Sequence, residues 1–204
     1  QTLYGLIDRG VQLENQVSPT TKLLQRRVEY IGVFAGSNVR AFEKAAVNDM
    51  SGKDGFYMNL PGTGERVVTA ASVYNLNGPV LLFSSIVPVF DECSPGGSGF
   101  LNAIEPYSGG RITRPFFNIN RNNSSTDDVM DSSYASLITG LTDSNNSDRF
   151  IGSIDLGIGN PGQATVIDNQ VVVGGSDNKR ASLATNPGSI AARGRLSWRE
   201  IVRD

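Results

Sequence analysis

The acidic side chains are the groups in this sequence best suited to chemistry, because the chain contains no histidine. Without an imidazole it can build neither a Ser-His-Asp nor a Cys-His pair, and zinc sites that rely on histidine are excluded. Hydrolysis of a carbohydrate would require two carboxylates about 5–10 Å apart across a cleft. No spacing singles out such a pair among the candidate carboxylates, which are Asp8, Glu65, Asp91, Glu105 and Asp155.

Three other features have either a chemical or a structural interpretation. Glu65 and Arg66 open a predicted strand, and we interpret them as a structural pair because a guanidinium holds a carboxylate in a fixed fork. Cys93 is the single cysteine, so no disulfide can form within the chain. Exposed aromatic rings would suit a carbohydrate-binding module, and the candidates are Tyr57, Tyr107 and Tyr134.

Composition and charge narrow the class of protein. The 204 residues are 39% hydrophobic, which is enough to bury a substantial core. Lys and Arg number 18 against 20 acidic residues, so the positive charge that nonspecific nucleic-acid binding requires is missing. Apolar runs such as residues 80–83 fall far short of the roughly 20 residues that span a bilayer. We therefore expect neither a nucleic-acid partner nor a membrane-spanning segment.

Short β-branched and aromatic runs alternate with Gly, Pro, Asn and Asp, which predicts an all-β fold. Asn77-Gly78 and Asp168-Asn169 each join two such runs, as hairpin turns do. Only residues 22–29 and 42–47 are compatible with short helices, and a strand remains an alternative for each. The predicted strands are residues 3–7, 55–60, 66–70, 79–84, 100–105, 153–156, 163–167, 170–173 and 196–201.

Hairpins at this spacing suit either a β-sandwich or part of a β-propeller. A propeller blade takes about 40–45 residues, so the chain would supply about four to five blades with long decorated loops. No shift in composition demands a domain boundary within residues 1–204.

Several segments resemble the C-terminal domain of the PilC/PilY family of type IV pilus tip-associated proteins. They are Gly55-Phe-Tyr-Met-Asn-Leu-Pro61, Gly64-Glu-Arg-Val-Val-Thr69, and Leu82-Phe-Ser-Ser-Ile-Val-Pro88 running on to Cys93 and Gly96-Gly97. The opening Leu3-Tyr-Gly-Leu-Ile-Asp8 and the closing Ser197-Trp-Arg199 are also similar to the family. Each match is weak alone, but all five occur in family order along the whole chain.

The resemblance implies that residues 1–204 are the C-terminal portion of a modified quinoprotein-like β-propeller, preceded by further blades. It implies a non-enzymatic protein of the bacterial cell surface and pilus tip that supports pilus assembly, opposes retraction during twitching motility and mediates adhesion. Expected partners are the pilus tip or minor pilins, a host or abiotic surface, and the upstream part of its own propeller. An upstream cysteine could pair with Cys93. Quinone-binding propellers carry repeated tryptophans, so the single Trp198 argues against a quinone cofactor.

The resemblance also implies a calcium loop after Phe117. The alternate positions there carry neutral amides and hydroxyls, which weakens any affinity for Ca²⁺. Carboxylates follow a few residues later, so a displaced and degenerate calcium site remains an expectation beside the alternative of a solvated Asn-rich loop. The candidate ligands are Asn118, Asn120, Asn122, Asp127, Asp128 and Asp131, with Ser124 and Thr126 as the intervening hydroxyls.

Overall fold

The described part of the molecule is built from strands and the loops between them. A computed structural model describes residues 1–10, 21–75, 78–89, 97–122, 124, 127–130, 135–141 and 149–186. Within these ranges there are fifteen strands and no helix, and so no helix that could cross a membrane. The strands are β1 Thr2–Leu6, β2 Leu23–Arg26, β3 Val28–Phe34, β4 Ser37–Phe42, β5 Gly55–Asn59, β6 Arg66–Val67, β7 Ser72–Asn75, β8 Pro79–Val87, β9 Ser98–Ile104, β10 Phe117–Asn118, β11 Ala135–Leu137, β12 Ser153–Asp155, β13 Thr165–Ile167, β14 Gln170–Gly174 and β15 Arg180–Thr185.

The strands form three sheets. The largest has eight strands in the order β11-β3-β4-β12-β9-β8-β6, with β7 also paired to β8. A four-stranded antiparallel sheet has the order β10-β15-β14-β13. A three-stranded sheet has the order β1-β5-β2, in which β2 runs parallel to β5. The antiparallel hairpins β3-β4, β8-β9 and β13-β14 account for much of the local pairing.

Two apolar cores hold the sheets together. The larger core joins one face of the eight-stranded sheet to the four-stranded sheet, with Leu101, Ile154 and Val171 nearly inaccessible. The smaller core contains Phe56 of the three-stranded sheet and Phe83 of the large sheet. A side chain at Gly5 or at Gly109 would overlap the Phe56 ring, so glycine at both positions lets that ring fit between two stretches of backbone.

The all-β prediction is confirmed, and eight of the nine predicted strands coincide with observed ones. Both predicted hairpins are present: β7 pairs with β8, and β13 with β14. In the second, Asp168 adopts φ 53°, the left-handed conformation that a tight turn uses. Asn77 of the first turn, the predicted strand 196–201 with Trp198, and Cys93 lie outside the described residues.

The helical interpretation of residues 22–29 and 42–47 is wrong. The first stretch forms β2 and the start of β3, and the second is the end of β4 followed by a loop. In the first stretch the reason is Arg26, which is 1% exposed and therefore cannot lie on the solvent face of an amphipathic helix. It donates to the Ser108 carbonyl at 2.7 Å and contacts Asp49 at 2.8 Å, so tertiary contacts select the strand.

Candidate functional site

The loop after β10 contains most of the side chains expected from the calcium pattern. Asp127 lies at its centre, and its Oδ2 atom accepts hydrogen bonds from Nδ2 of Asn122 at 2.6 Å and from Nδ2 of Asn120 at 3.0 Å. The amide oxygens face the backbone: Asn120 Oδ1 accepts from the Asn122 N–H, and Asn122 Oδ1 accepts from the Ser124 N–H. The loop is therefore held by its own Asn and Asp side chains.

Asp128 lies behind this loop, in the interior. It is 1% exposed, and its Oδ2 atom accepts from the Ile119 backbone N–H at 3.1 Å. Its Oδ1 atom and the Oδ1 atom of Asn118 are both buried without a hydrogen-bond partner in the part of the chain that the structure describes. Burial raises the pKa of Asp128 to about 6, and the charge of Asp127 adds to this increase, while N–H groups of Ile119 and Asn120 oppose it.

The pKa values of the two neighbouring carboxyl groups are thus shifted in opposite directions. The hydrogen bond from Asn122 lowers the pKa of Asp127, whose side chain lies at the surface. The structure brings Asn120, Asn122 and Asp127 together, places Asn118 on β10 and Asp128 beneath the loop, and does not describe Thr126 or Asp131. Among the described residues no three acidic, cysteine or histidine side chains are close enough to form a metal cluster.

This donor set fits a hard cation only in part. Unpartnered buried oxygens on Asp128 and Asn118 could serve as ligands, and Asp127 adds a second carboxylate. The amide oxygens of Asn120 and Asn122 already accept backbone hydrogen bonds, which a cation would have to displace. Ca²⁺ affinity rises with the charge of its ligands, so any affinity of this loop is low.

A buried ion pair lies on the face of the large sheet that points away from the larger core. The sequence patterns did not reveal it. The Arg40 Nη1 atom donates to Glu65 Oε1 at 2.7 Å, and Glu65 is fully buried. The same oxygen accepts from the Ser85 hydroxyl at 2.6 Å, and Oε2 accepts from the Gly62 N–H at 2.8 Å. Asn102 extends the network by donating to Ser85 Oγ at 3.2 Å.

This network corrects the expected partner of Glu65. Arg66 does not pair with it; its Nε atom donates to the Gly64 carbonyl, because successive residues at the start of β6 project to opposite sides. The guanidinium of Arg40 instead lies 3.4 Å from the centre of the Phe100 ring while it binds Glu65. The structural role expected for Glu65 therefore stands, with a different arginine.

The other candidate carboxylates in the described chain hold turns. Asp8 accepts from the Gly10 N–H, Glu105 from the Ser108 N–H and Asp155 from the Gly157 N–H. Asp91 and Tyr134 lie outside the described residues. Of the candidate aromatic platforms, Tyr57 stacks on Tyr4, and Tyr107 is 70% exposed beside a cleft of about 330 Å³ that Asp8 also lines.

Comparison with known proteins first defines the class. The chain superposes on the crystal structure of the Pseudomonas aeruginosa PilY1 C-terminal domain with a TM-score of 0.59, covering 92% of this chain and 37% of that one at 21% identity. The fold is therefore that of an all-β, propeller-like domain. No protein-family model matches the chain.

The sequence comparison adds a named relative. The chain is 30% identical over 208 aligned positions to a type IV pilus biogenesis factor PilY1 homolog from Xylella fastidiosa. The match covers all of this chain and 15% of that relative, so the chain spans about a seventh of the curated protein's length. The two comparisons together confirm the resemblance to the C-terminal domain of the PilC/PilY family.

Replacement of Glu65 tests the buried network. The Glu65→Gln variant leaves the Arg40 charge buried without its counter-ion, so we expect the free energy of unfolding to fall by about 3 kcal/mol in urea titrations. The matched control is Asp177→Asn, which removes the acidic partner of an exposed pair with Lys179 at 3.9 Å and should cost less than about 0.5 kcal/mol. Equal, small losses in the two variants would contradict the assigned role of Glu65.

The buried Asp128 gives a pH-dependent prediction. Its folded-state pKa of about 6 exceeds the unfolded value, so the folded protein binds the proton more tightly and this group's contribution to stability is lost as pH rises from about 4 through 6. In calcium-free buffer, Asp128→Asn should remove that loss, and its stability relative to the parent should rise with pH. Asp127→Asn is the control of opposite sign, because the pKa of Asp127 is lowered. A pH-independent difference for Asp128→Asn would overturn the assignment.

Proposed function

We propose that this chain is part of a type IV pilus biogenesis factor that acts at the cell surface and the pilus tip. The observation that carries the proposal is the sequence match along the entire chain to a protein named as a PilY1-type biogenesis factor. The propeller-like fold supports it independently, through the solved C-terminal domain of a PilY1 protein. Because both relatives are longer, the activity of the whole protein is part of this proposal and not a finding.

The proposed role is mechanical and non-enzymatic. Four of the five candidate carboxylates support this view, because Asp8, Glu105 and Asp155 bind turn N–H groups and Glu65 is paired inside the sheet. A rigid domain of this kind can pack against minor pilins, favour assembly over retraction and present loops to a host or abiotic surface. Exposed apolar side chains such as Val47 and Val68 provide area for such contacts.

We also propose that further blades of the full-length protein complete the propeller around these three sheets. The chain accounts for 37% of the solved domain on which it superposes. Tyr4 and Leu6 of β1 are more than half exposed here, and apolar side chains at such an edge would pack against a neighbouring blade. The upstream part of the propeller is then the first partner of this chain.

A deletion strain of the source bacterium tests the pilus role. We expect fewer surface pili in the strain lacking the full-length protein, restoration by the parent protein, and immunogold label from an antibody against this chain at pilus ends. Complementation with Asp177→Asn should equal the parent, whereas Glu65→Gln should restore fewer pili because the fold is weakened. Normal pilus numbers in the deletion strain, without any label at pilus ends, would contradict the proposal.

We further propose weak calcium binding by the loop around Asp127. The support is the unpartnered Oδ1 atom of buried Asp128 together with the adjacent surface carboxylate of Asp127. A bound Ca²⁺ would stiffen the loop, because direct contacts between the ion and its oxygen ligands would replace internal hydrogen bonds. With only two described carboxylates, we expect a dissociation constant of about 1 mM or weaker.

Calcium titration of the purified chain tests this second proposal. At about 10 mM Ca²⁺ the thermal unfolding midpoint should rise, since the ion binds only the folded loop. The increase should vanish in the Asp127→Asn/Asp128→Asn double variant and persist in the surface control Asp177→Asn. If the parent and the double variant respond equally, or the parent does not respond, the loop is a hydrogen-bonded structural loop without a calcium site.

A further inference from the structure

An open cavity of about 590 Å³ lies on the face of the large sheet over β3 and β4. Its walls include the aliphatic side chains of Ile31 and Val33, which are 45% and 52% exposed. Polar groups reach it from Asn38 on β4 and Ser136 on β11. Apolar walls with a few converging polar groups are the usual composition of a small-ligand site.

Arg40 supplies the charge in this cavity. Its side chain is 7% exposed and is fixed between Glu65, which binds Nη1, and the ring of Phe100, which also lines the cavity. Its Nε and Nη2 atoms make no hydrogen bond to any residue that the structure describes. These two atoms form the side of the guanidinium whose parallel N–H groups match the two oxygens of a carboxylate.

Glu65 does not prevent Arg40 from binding a second carboxylate. The Glu65 charge is also stabilised by the Ser85 hydroxyl and the Gly62 N–H, so it does not depend on Arg40 alone. The pair nevertheless neutralises most of the positive charge, which disfavours a doubly charged anion such as phosphate. A singly charged carboxylate on an apolar stem fits both the open side of Arg40 and the aliphatic walls.

We propose that this cavity binds an aliphatic carboxylate, with Nε and Nη2 of Arg40 on its two oxygens and the stem against Ile31 and Val33. The carboxylate has two sources with the same chemistry: a small organic acid, or the free C-terminus of a peptide that ends in an aliphatic residue. The site is distinct from the loop around Asp127 and does not depend on the proposed pilus role.

Titration of the ¹⁵N-labelled chain, followed by NMR, tests the proposal. The probes are 4-methylpentanoate and N-acetyl-Gly-Gly-Leu with a free carboxylate, each beside its neutral amide. We expect shifts of the Arg40 Nε–H and of the Ile31 and Val33 amides, with a dissociation constant on the order of 1 mM for at least one acid. Binding of the small acid alone would indicate a small organic acid as the source. Tighter binding of the peptide would indicate a peptide C-terminus. Equal binding of acid and amide, or no shift at about 20 mM, overturns the proposal.

A wall variant avoids disturbing the buried pair. Val33→Glu places a like charge beside the carboxylate at a half-exposed position and should weaken binding at least about tenfold. Val73→Glu is the matched control, because Val73 is 60% exposed on β7 and does not line the cavity; its affinity should equal that of the parent. Unchanged affinity in Val33→Glu would place the ligand elsewhere and overturn the proposal.

Discussion

The buried contact between Glu65 and Arg40 is the constraint on which the large sheet depends. Two charges inside a sheet are tolerated only if each finds its partner and its remaining hydrogen bonds. The network satisfies this by joining β4, the segment before β6, and Ser85 of β8 through one carboxylate. Because the Glu65 carbonyl also accepts from the backbone nitrogen of Gln1 at 2.8 Å, the same residue links the large sheet to the start of the three-stranded sheet. One glutamate therefore connects strands that are distant in sequence.

Much of the fold was predictable because the strands at its centre have strong local signals. The β8 and β9 runs are rich in apolar and aromatic residues and end at glycine or proline, and the Asp168-Asn169 turn is short enough to specify its hairpin. Residues 22–29 were not predictable in this way, because their polar residues suggest a solvent face. Arg26 is instead buried against Ser108 and Asp49, which are distant along the chain. Local periodicity carries no information about such partners.

In the candidate sites, too, contacts between residues close in sequence were predictable, whereas contacts between distant residues were not. The clustering of Asn120, Asn122 and Asp127 follows from their close spacing, since short polar side chains in one loop bind one another and the adjacent backbone. The burial of Asp128 does not follow from spacing, because Asp127 beside it is exposed. Arg40 gave no signal for a different reason: β3 and β4 were absent from the predicted strands. Even with β4 predicted, the alternation of Val39 and Ala41 with Arg40 would have placed this arginine on a solvent face, because neighbouring side chains in a strand point to opposite sides.

The two buried carboxyl groups place different demands on the protein. Glu65 accepts hydrogen bonds from a guanidinium, a hydroxyl and a backbone N–H, so the loss of its carboxylate leaves Arg40 unpaired. Asp128 has no described cation beside it and a negatively charged neighbour, so the interior favours its protonated form. A neutral side chain can therefore replace Asp128 without leaving a buried charge, whereas the same change at Glu65 creates one. It follows that neutral substitutions in the loop after β10 cost less stability than the loss of the Glu65 carboxylate.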